Sequence, residues 1–275
     1  MKKEDNFSYK FVRNVFGPVW NFYYNAKVVG QENIPEEGSI VVVGNHIHIM
    51  DQCPAILSTK RMLHYMAKKE YFDGKFAWFF KFAGCIPVNR QIKDEAAKGA
   101  ALEVLKQDYA LGLFPEGTRN GPKQEKIDEV YEIVKEEYPD KEEFSKIIKK
   151  QKTSFINYLL ELVEKKKIKK KDFIGNIDRV NDYLLELIDK KVISKDDYYE
   201  NILLPFKFGA VSMAQKTDSY LVPYAITGEY KFRSKDLTVR FGKPFKVGED
   251  LEKANTKLRK EIAKLMRESM ENSEK

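Results

Sequence analysis

Histidine and cysteine are scarce in this chain: 275 residues contain 3 His and 2 Cys. Cys53 and Cys85 are too few for a disulfide framework and are expected to be reduced. His46, His48 and His64 are a thin supply for a His-rich metal centre. Long apolar runs are also missing. The longest, such as Ser39 to Met50, are broken by His or end well short of the ~18 residues a membrane-spanning helix needs. The opening MKKEDNFSYKFVRN lacks the apolar core of a signal peptide, so a cytoplasmic location is expected.

Aromatic residues, by contrast, are plentiful. With 43% hydrophobic and 33% charged residues the chain can bury a full core, and disorder of the whole is excluded. The 18 Phe, 15 Tyr and 2 Trp exceed what a soluble core uses, which leaves some to face another apolar phase. Net charge is +7, and its distribution is uneven. Residues 121–203 hold 18 Lys+Arg and 19 Asp+Glu, a local net of −1, so the remainder carries +8. A basic surface attracts nucleic acid, anionic lipid or phosphorylated small molecules, and composition does not choose among them.

Residues 7–24 gather eight aromatics (Phe7, Tyr9, Phe11, Phe16, Trp20, Phe22, Tyr23, Tyr24) among Lys10, Arg13 and polar residues. The pattern predicts an amphipathic helical segment, broken near Gly17-Pro18, and residues 1–25 are expected to contact a membrane surface. The competing expectation packs one aromatic face on the core. Tyr71 to Phe82, with Trp78, Phe79 and Phe80 beside Lys75 and Lys81, is a second candidate contact.

From Lys27 onward short β-branched and apolar runs (SIVVVG, MLHYMA, CIPV, YALGLFP, YLVPYAI, LTVRFG) alternate with helical stretches at 94–107, 205–216 and 250–273. This alternation predicts an α/β fold with a largely parallel central sheet flanked by helices, over residues 26–120 and 204–275, with sites at the carboxyl ends of strands. Residues 121–203 read instead as a helical insertion. Within it NYLLELVEKKKIKKKDFIGNI at 157–177 aligns with DYLLELIDKKVISKDDYYENI at 182–202, 12 identities in 21 positions at a spacing of 25. Ser194 with Asp197 three residues on predicts a helix cap in the second copy. The Leu/Ile stripe of the repeat serves either packing among its own helices or docking of a partner.

Four segments place ionisable or glycine residues directly after an apolar run. In GNHIHIMDQ (44–52), Asp51 lies five residues beyond His46. A continuous helix would set the two roughly 140° apart, so contact requires a tight turn. There the carboxylate would accept the Nδ1 proton and leave Nε2 to deprotonate a hydroxyl. GCIPVNR (84–90) and LFPEGTRNG (113–121) both lead into arginine. Gly117 would bring backbone N–H groups near an anion, and Arg119 would offer a forked donor set to phosphate, with Arg90 joining from a neighbouring strand end. LVPYAITG (221–228) has no ionisable side chain and would shape a wall.

Asn45-His46 with Asp51, Gly84 through Arg90, Phe114 through Arg119 and Val222-Pro223, in this order, resemble the four blocks of the glycerolipid acyltransferases. The bacterial 1-acyl-glycerol-3-phosphate acyltransferase branch is the most similar. LPFKFGAVSMA at 204–214 resembles that family's PFKKGA-type segment, and the likeness covers roughly 26–120 and 204–245. It implies transfer of a fatty acyl group from acyl-CoA or acyl carrier protein, as co-substrate and without cofactor or metal, to the free hydroxyl of lysophosphatidate. His46 and Asp51 would be catalytic; Arg90, Glu116, Gly117, Thr118 and Arg119 would bind substrate. The implied setting is the cytoplasmic face of an anionic membrane, with a peripheral protein and no nucleic-acid partner. Two departures stand out: His48 occupies a position where the family usually has Ser, and about 83 residues separate blocks that relatives join within about a dozen.

Rival readings remain. Glycerol-3-phosphate or another lysolipid is an alternative acceptor within the same chemistry. A metallohydrolase would use His46, His48 and Asp51, helped by Cys53 or carboxylates, since only His64 is left. A non-catalytic lipid- or partner-binding protein would use the insertion as its working surface.

Overall fold

The computed structural model describes residues 7–89, 91–92 and 94–271. The chain divides into two compact units, Met1–Gly117 with Phe206–Lys275, and Thr118–Pro205.

The first unit is built on eight strands: β1 (Lys27–Val29), β2 (Ile40–Gly44), β3 (Leu63–Lys68), β4 (Ile86–Val88), β5 (Ala110–Leu113), β6 (Tyr220–Thr227), β7 (Thr238–Phe241) and β8 (Phe245–Lys246). They order as β1-β7-β6-β2-β5-β3-β4, with β8 beside β6. The β2, β3, β4, β5 and β6 pairings are parallel. β7 runs antiparallel to β6, because only a short loop joins them, and β1 follows β7 in parallel. Continuous Val/Ile/Leu runs make β2, β5 and most of β6 buried on both faces, as parallel central strands require.

Helices of this unit are α1 (Phe7–Phe11), α2 (Gly17–Tyr24), α3 (Gln52–Leu57), α4 (Ala77–Phe82) and α5 (Glu95–Lys106). In the second unit lie α6 (Gln124–Val134), α7 (Lys141–Ile148), α8 (Thr153–Glu164), α9 (Lys170–Ile174), α10 (Val180–Asp189) and α11 (Lys195–Asn201), and the first unit ends with α12 (Gly209–Lys216) and α13 (Leu251–Glu271).

The expected break at Gly17-Pro18 does not occur. A π-helical turn at Val12–Phe16 links α1 to α2, and Phe16 and Gly17 keep right-handed helical backbone. Pro18 falls in the first turn of α2, where its missing N–H is tolerated. The aromatics of this segment divide between two faces. Trp20 is 2% exposed and packs in the core with Ile34, Ile40 and Tyr24, while Phe7, Phe11, Val15, Val19 and Phe22 form an exposed stripe at helical spacing.

In the second unit the repeat is visible in the backbone. Lys166 and Lys191, equivalent positions in the two copies, both adopt left-handed backbone with φ +57°, ending α8 and α10 in the same way. Ser194 Oγ accepts the Asp197 N–H at 3.0 Å and Asp197 Oδ2 accepts the Ser194 N–H at 3.1 Å, the capping box read from the sequence. Leu159, Leu162, Leu184 and Leu187 of the stripe are buried inside this unit, so they pack its own helices together. Asn120 ties its two ends, donating to Ile202 O at 3.0 Å while its Oδ1 accepts the Ser154 N–H at 3.0 Å.

Candidate active site

The carboxyl ends of β2 and β5 lie side by side at the centre of the sheet, where connections depart in opposite directions; open α/β sheets form their sites at such points. Gly44 is the last rung of β2. A Cβ there would stand 2.3 Å from the Tyr224 ring, so only glycine lets the ring lie across the strand end. Asn45 then imitates a strand residue with its side chain: Nδ2 donates to Ile226 O at 2.9 Å and Oδ1 accepts the Ile226 N–H at 2.7 Å. Pairing with β6 is thereby satisfied while the main chain turns away.

The loop that follows closes around a carboxylate. Asp51 is fully buried, and its Oδ2 accepts the N–H groups of Ile47 at 2.6 Å and His48 at 2.7 Å and faces His46 Nδ1 at 2.8 Å. The tight turn required by the five-residue spacing is therefore present. A buried carboxylate on Nδ1 fixes the proton there and leaves Nε2 as the basic nitrogen. Two further contacts hold His46. Its ring stacks on Phe114 at 4.1 Å and 7°, and Glu116 Oε1 accepts its backbone N–H at 2.8 Å.

Glu116 and Gly117 sit in the turn after β5. Glu116, predicted to bind substrate, is buried and braces the His46 backbone. The Gly117 N–H closes the turn on Phe114 O at 3.0 Å. Gly117 has φ +68°, and the Lys207 side chain crosses it: an added Cβ would stand 2.9 Å from Lys207 Cε and 3.0 Å from Nζ. The Lys207 N–H donates to Pro115 O at 2.9 Å, anchoring the segment. Lys207 was not singled out from sequence, although it lies within the PFKFG run that carried part of the resemblance.

Thr118 and the exposed Arg119 follow Gly117 in the chain and open the second unit. Arg90 lies outside the described residues. The strand before it, β4, is the sheet edge, with β3 between it and β5. The paired-His metal reading fares differently from the His46–Asp51 pair. His48 Nδ1 accepts the Met50 N–H at 3.3 Å and its ring stacks on Tyr230 at 4.3 Å. Among the described residues no three His, Cys, Asp or Glu side chains converge as metal ligands would.

Burial also sets the ionisation of neighbouring groups. Cys53, next on α3, has its thiol pushed up to about 12 by desolvation and then by the Asp51 charge, so it is no nucleophile at neutral pH. Tyr65 and Tyr224 are raised by burial in the same way and stay protonated beneath the site.

The model of the acyltransferase family matches residues 25–227. A 1-acyl-sn-glycerol-3-phosphate acyltransferase of Bacillus subtilis is 30% identical over 115 residues, 40% of this chain and 57% of that protein. One of Borreliella burgdorferi is 34% identical over 96 residues, 34% of this chain and 38% of that protein. The matched parts thus span less than two thirds of these relatives. The crystal structure of the 1-acyl-sn-glycerophosphate (LPA) acyltransferase of Thermotoga maritima superposes with a TM-score of 0.57 over 98% of this chain and 83% of that one, at 16% identity, which shows a shared fold.

Proposed function

Because this chain belongs to the acyltransferase family, we propose that it transfers a fatty acyl group from a thioester to the free hydroxyl of lysophosphatidate, yielding phosphatidate for phospholipid synthesis. The observation that carries the reading is the 2.8 Å pairing of His46 Nδ1 with the fully buried Asp51 carboxylate at the end of a central strand.

His46 Nε2 takes the proton of the acceptor hydroxyl as its oxygen attacks the thioester carbonyl. Asp51 stabilises the imidazolium. When the tetrahedral adduct collapses, the C–S bond breaks and Nε2 returns the proton to the departing sulfur, giving ester and free thiol. No covalent enzyme intermediate is required. The donor is acyl-CoA or acyl carrier protein. Arg119, by its place in the PEGTR block, and Arg90 hold the acceptor phosphate, with Gly117 and Thr118 forming the turn between. Lys207, lying across Gly117, adds a cation to the same turn.

The enzyme works as a peripheral protein on the cytoplasmic, anionic membrane surface, where its acceptor resides. Among the described residues no helix is long and apolar enough to cross a membrane. The exposed stripe of Phe7, Phe11, Val15, Val19 and Phe22 supports interfacial contact. It extends at both ends, since Phe11 meets Phe82 of α4, whose Trp78 is also exposed, and Phe22 meets the exposed Phe232.

The test is an acyl-transfer assay over lysophosphatidate, other lysolipids and glycerol-3-phosphate, each with acyl-CoA and acyl carrier protein. Lysophosphatidate should be the preferred acceptor. Preference for glycerol-3-phosphate would move the chain to another branch of the chemistry, and inactivity with every pair would support a binding protein.

A further inference from the structure

The three hydrogen bonds that the Asp51 carboxylate makes at regular geometry among the described residues all fall on Oδ2. Oδ1 is buried, and it has no partner at regular hydrogen-bond geometry among the described residues. The Tyr230 hydroxyl, also buried, is in the same position. The two groups are neighbours. Desolvation, followed by the Asp51 charge and a hydrogen bond to that carboxylate, raises the Tyr230 phenol far above its ordinary value, so it remains a proton donor at every working pH.

The ring that carries this hydroxyl is held from two directions. It stacks on His48 at 4.3 Å and 20°, and Tyr24 of α2 meets it edge-on at 5.3 Å and 84°. The loop delivering it leaves β6 through Gly228, at φ +83°, where a Cβ would stand 2.3 Å from Asp236 O. His48 thus links the two groups: its own N–H donates to Asp51 Oδ2, and its ring stacks on that of Tyr230. This gives a use to the histidine that stands where the resembled family usually has serine.

We infer that Tyr230 is a positioning residue of the acyl-transfer site: clamped by His48, it donates its hydroxyl to Asp51 Oδ1 and holds the other oxygen against His46. The inference rests on the proposed general-base reading of His46. Catalytic hydrogen bonds often tighten only as the reacting complex forms, which is when the imidazolium makes the orientation of Asp51 count most. A donor on Oδ1 also draws charge away from Oδ2. Without it the negative charge concentrates on Oδ2, which favours the protonated imidazole.

The ionisable groups facing this pair come from every surrounding element. His46 and His48 share the Asp51 loop, Glu116 reaches the His46 N–H from the turn after β5, and Cys53, Tyr65 and Tyr224 face Asp51 from α3, β3 and β6. Tyr24 completes the set on the Tyr230 side. Burial raises Cys53, Tyr65 and Tyr224, so they stay neutral through the acid limb and do not mask a shift of His46.

Tyr230→Phe keeps the ring and removes the donor. In the full-length protein kcat should fall roughly tenfold, the worth of one hydrogen bond to a charged group, with KM for both substrates within about twofold. The acid limb of kcat/KM should move to higher pH, as should the His46 ring titration followed by NMR without substrate. Tyr230→Leu, which also loses the His48 stack, should cost more. Wild-type kcat and an unmoved limb in Tyr230→Phe would overturn the inference; so would a loss that tracks a lowered melting temperature while the His46 titration stays in place. His46→Ala is measured alongside. If it is inactive while Tyr230→Phe is normal, only this inference fails; if it is fully active, the general-base reading fails and takes the inference with it.

Discussion

Asn45 and Ile226 pair through the side-chain amide of one and the backbone of the other, at 2.9 and 2.7 Å, where the β2–β6 ladder ends. The amide gives Ile226 both bonds a strand partner would give, and so frees the next residue, His46, to leave the sheet.

Asn45→Ala should therefore orphan a buried N–H and a buried C=O together. Each such group costs about 1–3 kcal/mol, so a loss of about 2–6 kcal/mol in chemical denaturation is expected, with activity reduced beyond what the lost stability accounts for. A neutral substitution would mean that strand pairing continues without the amide.

Much of this architecture was readable in the chain. The β2, β5 and β6 runs are continuous and apolar because the strands are covered on both faces, and the five-residue His46–Asp51 spacing admitted contact only through a tight turn. What escaped reading is side chains replacing backbone. Nothing in the local pattern distinguishes Asn45 as a strand mimic or Glu116 as a brace on His46, since each partner is remote in sequence. Lys207 and Tyr230 likewise reach the site from other segments. The Gly17-Pro18 pair predicted a break, but proline in the first turn of α2 spares the helix the bond it could not make.

Arg119→Lys should raise the acceptor KM about tenfold with little change in kcat, because an ammonium replaces a forked donor with a point charge. Lys207→Ala should act in the same direction. A rise confined to the donor KM would reassign both cations.

The stripe on α1 and α2 is separable from the core by substitution, although deletion of the segment is not a clean test: removing Tyr9 and Trp20 would open the interior. Phe11→Ser, Val19→Ser and Phe22→Ser together should preserve folding and weaken binding to anionic vesicles by more than about tenfold, given roughly 1.5–3 kcal/mol per buried apolar side chain. Salt should weaken wild-type binding only in part, since it screens the basic residues and not the aromatic ones. Unchanged sedimentation of the triple variant with vesicles would place the contact elsewhere.

Replacing residues 123–202 with a short Gly/Ser linker should leave a folded, active protein. The Lys207 N–H bonds Pro115 O at 2.9 Å, so the chain ends bordering the insertion already meet within the first unit. Loss of transfer with the carrier-protein donor alone would assign the insertion to docking, and loss with both donors in a protein that still melts cooperatively would make it part of the site.

The central claim is that His46, held by Asp51, is the base in acyl transfer to lysophosphatidate. Its most direct test compares phosphatidate formation by the wild-type protein and His46→Ala, both shown folded by circular dichroism, at saturating lysophosphatidate and acyl donor. The account predicts phosphatidate from the wild type and a loss of roughly 10²- to 10⁴-fold in the variant; phosphatidate formed by His46→Ala at the wild-type rate would contradict it.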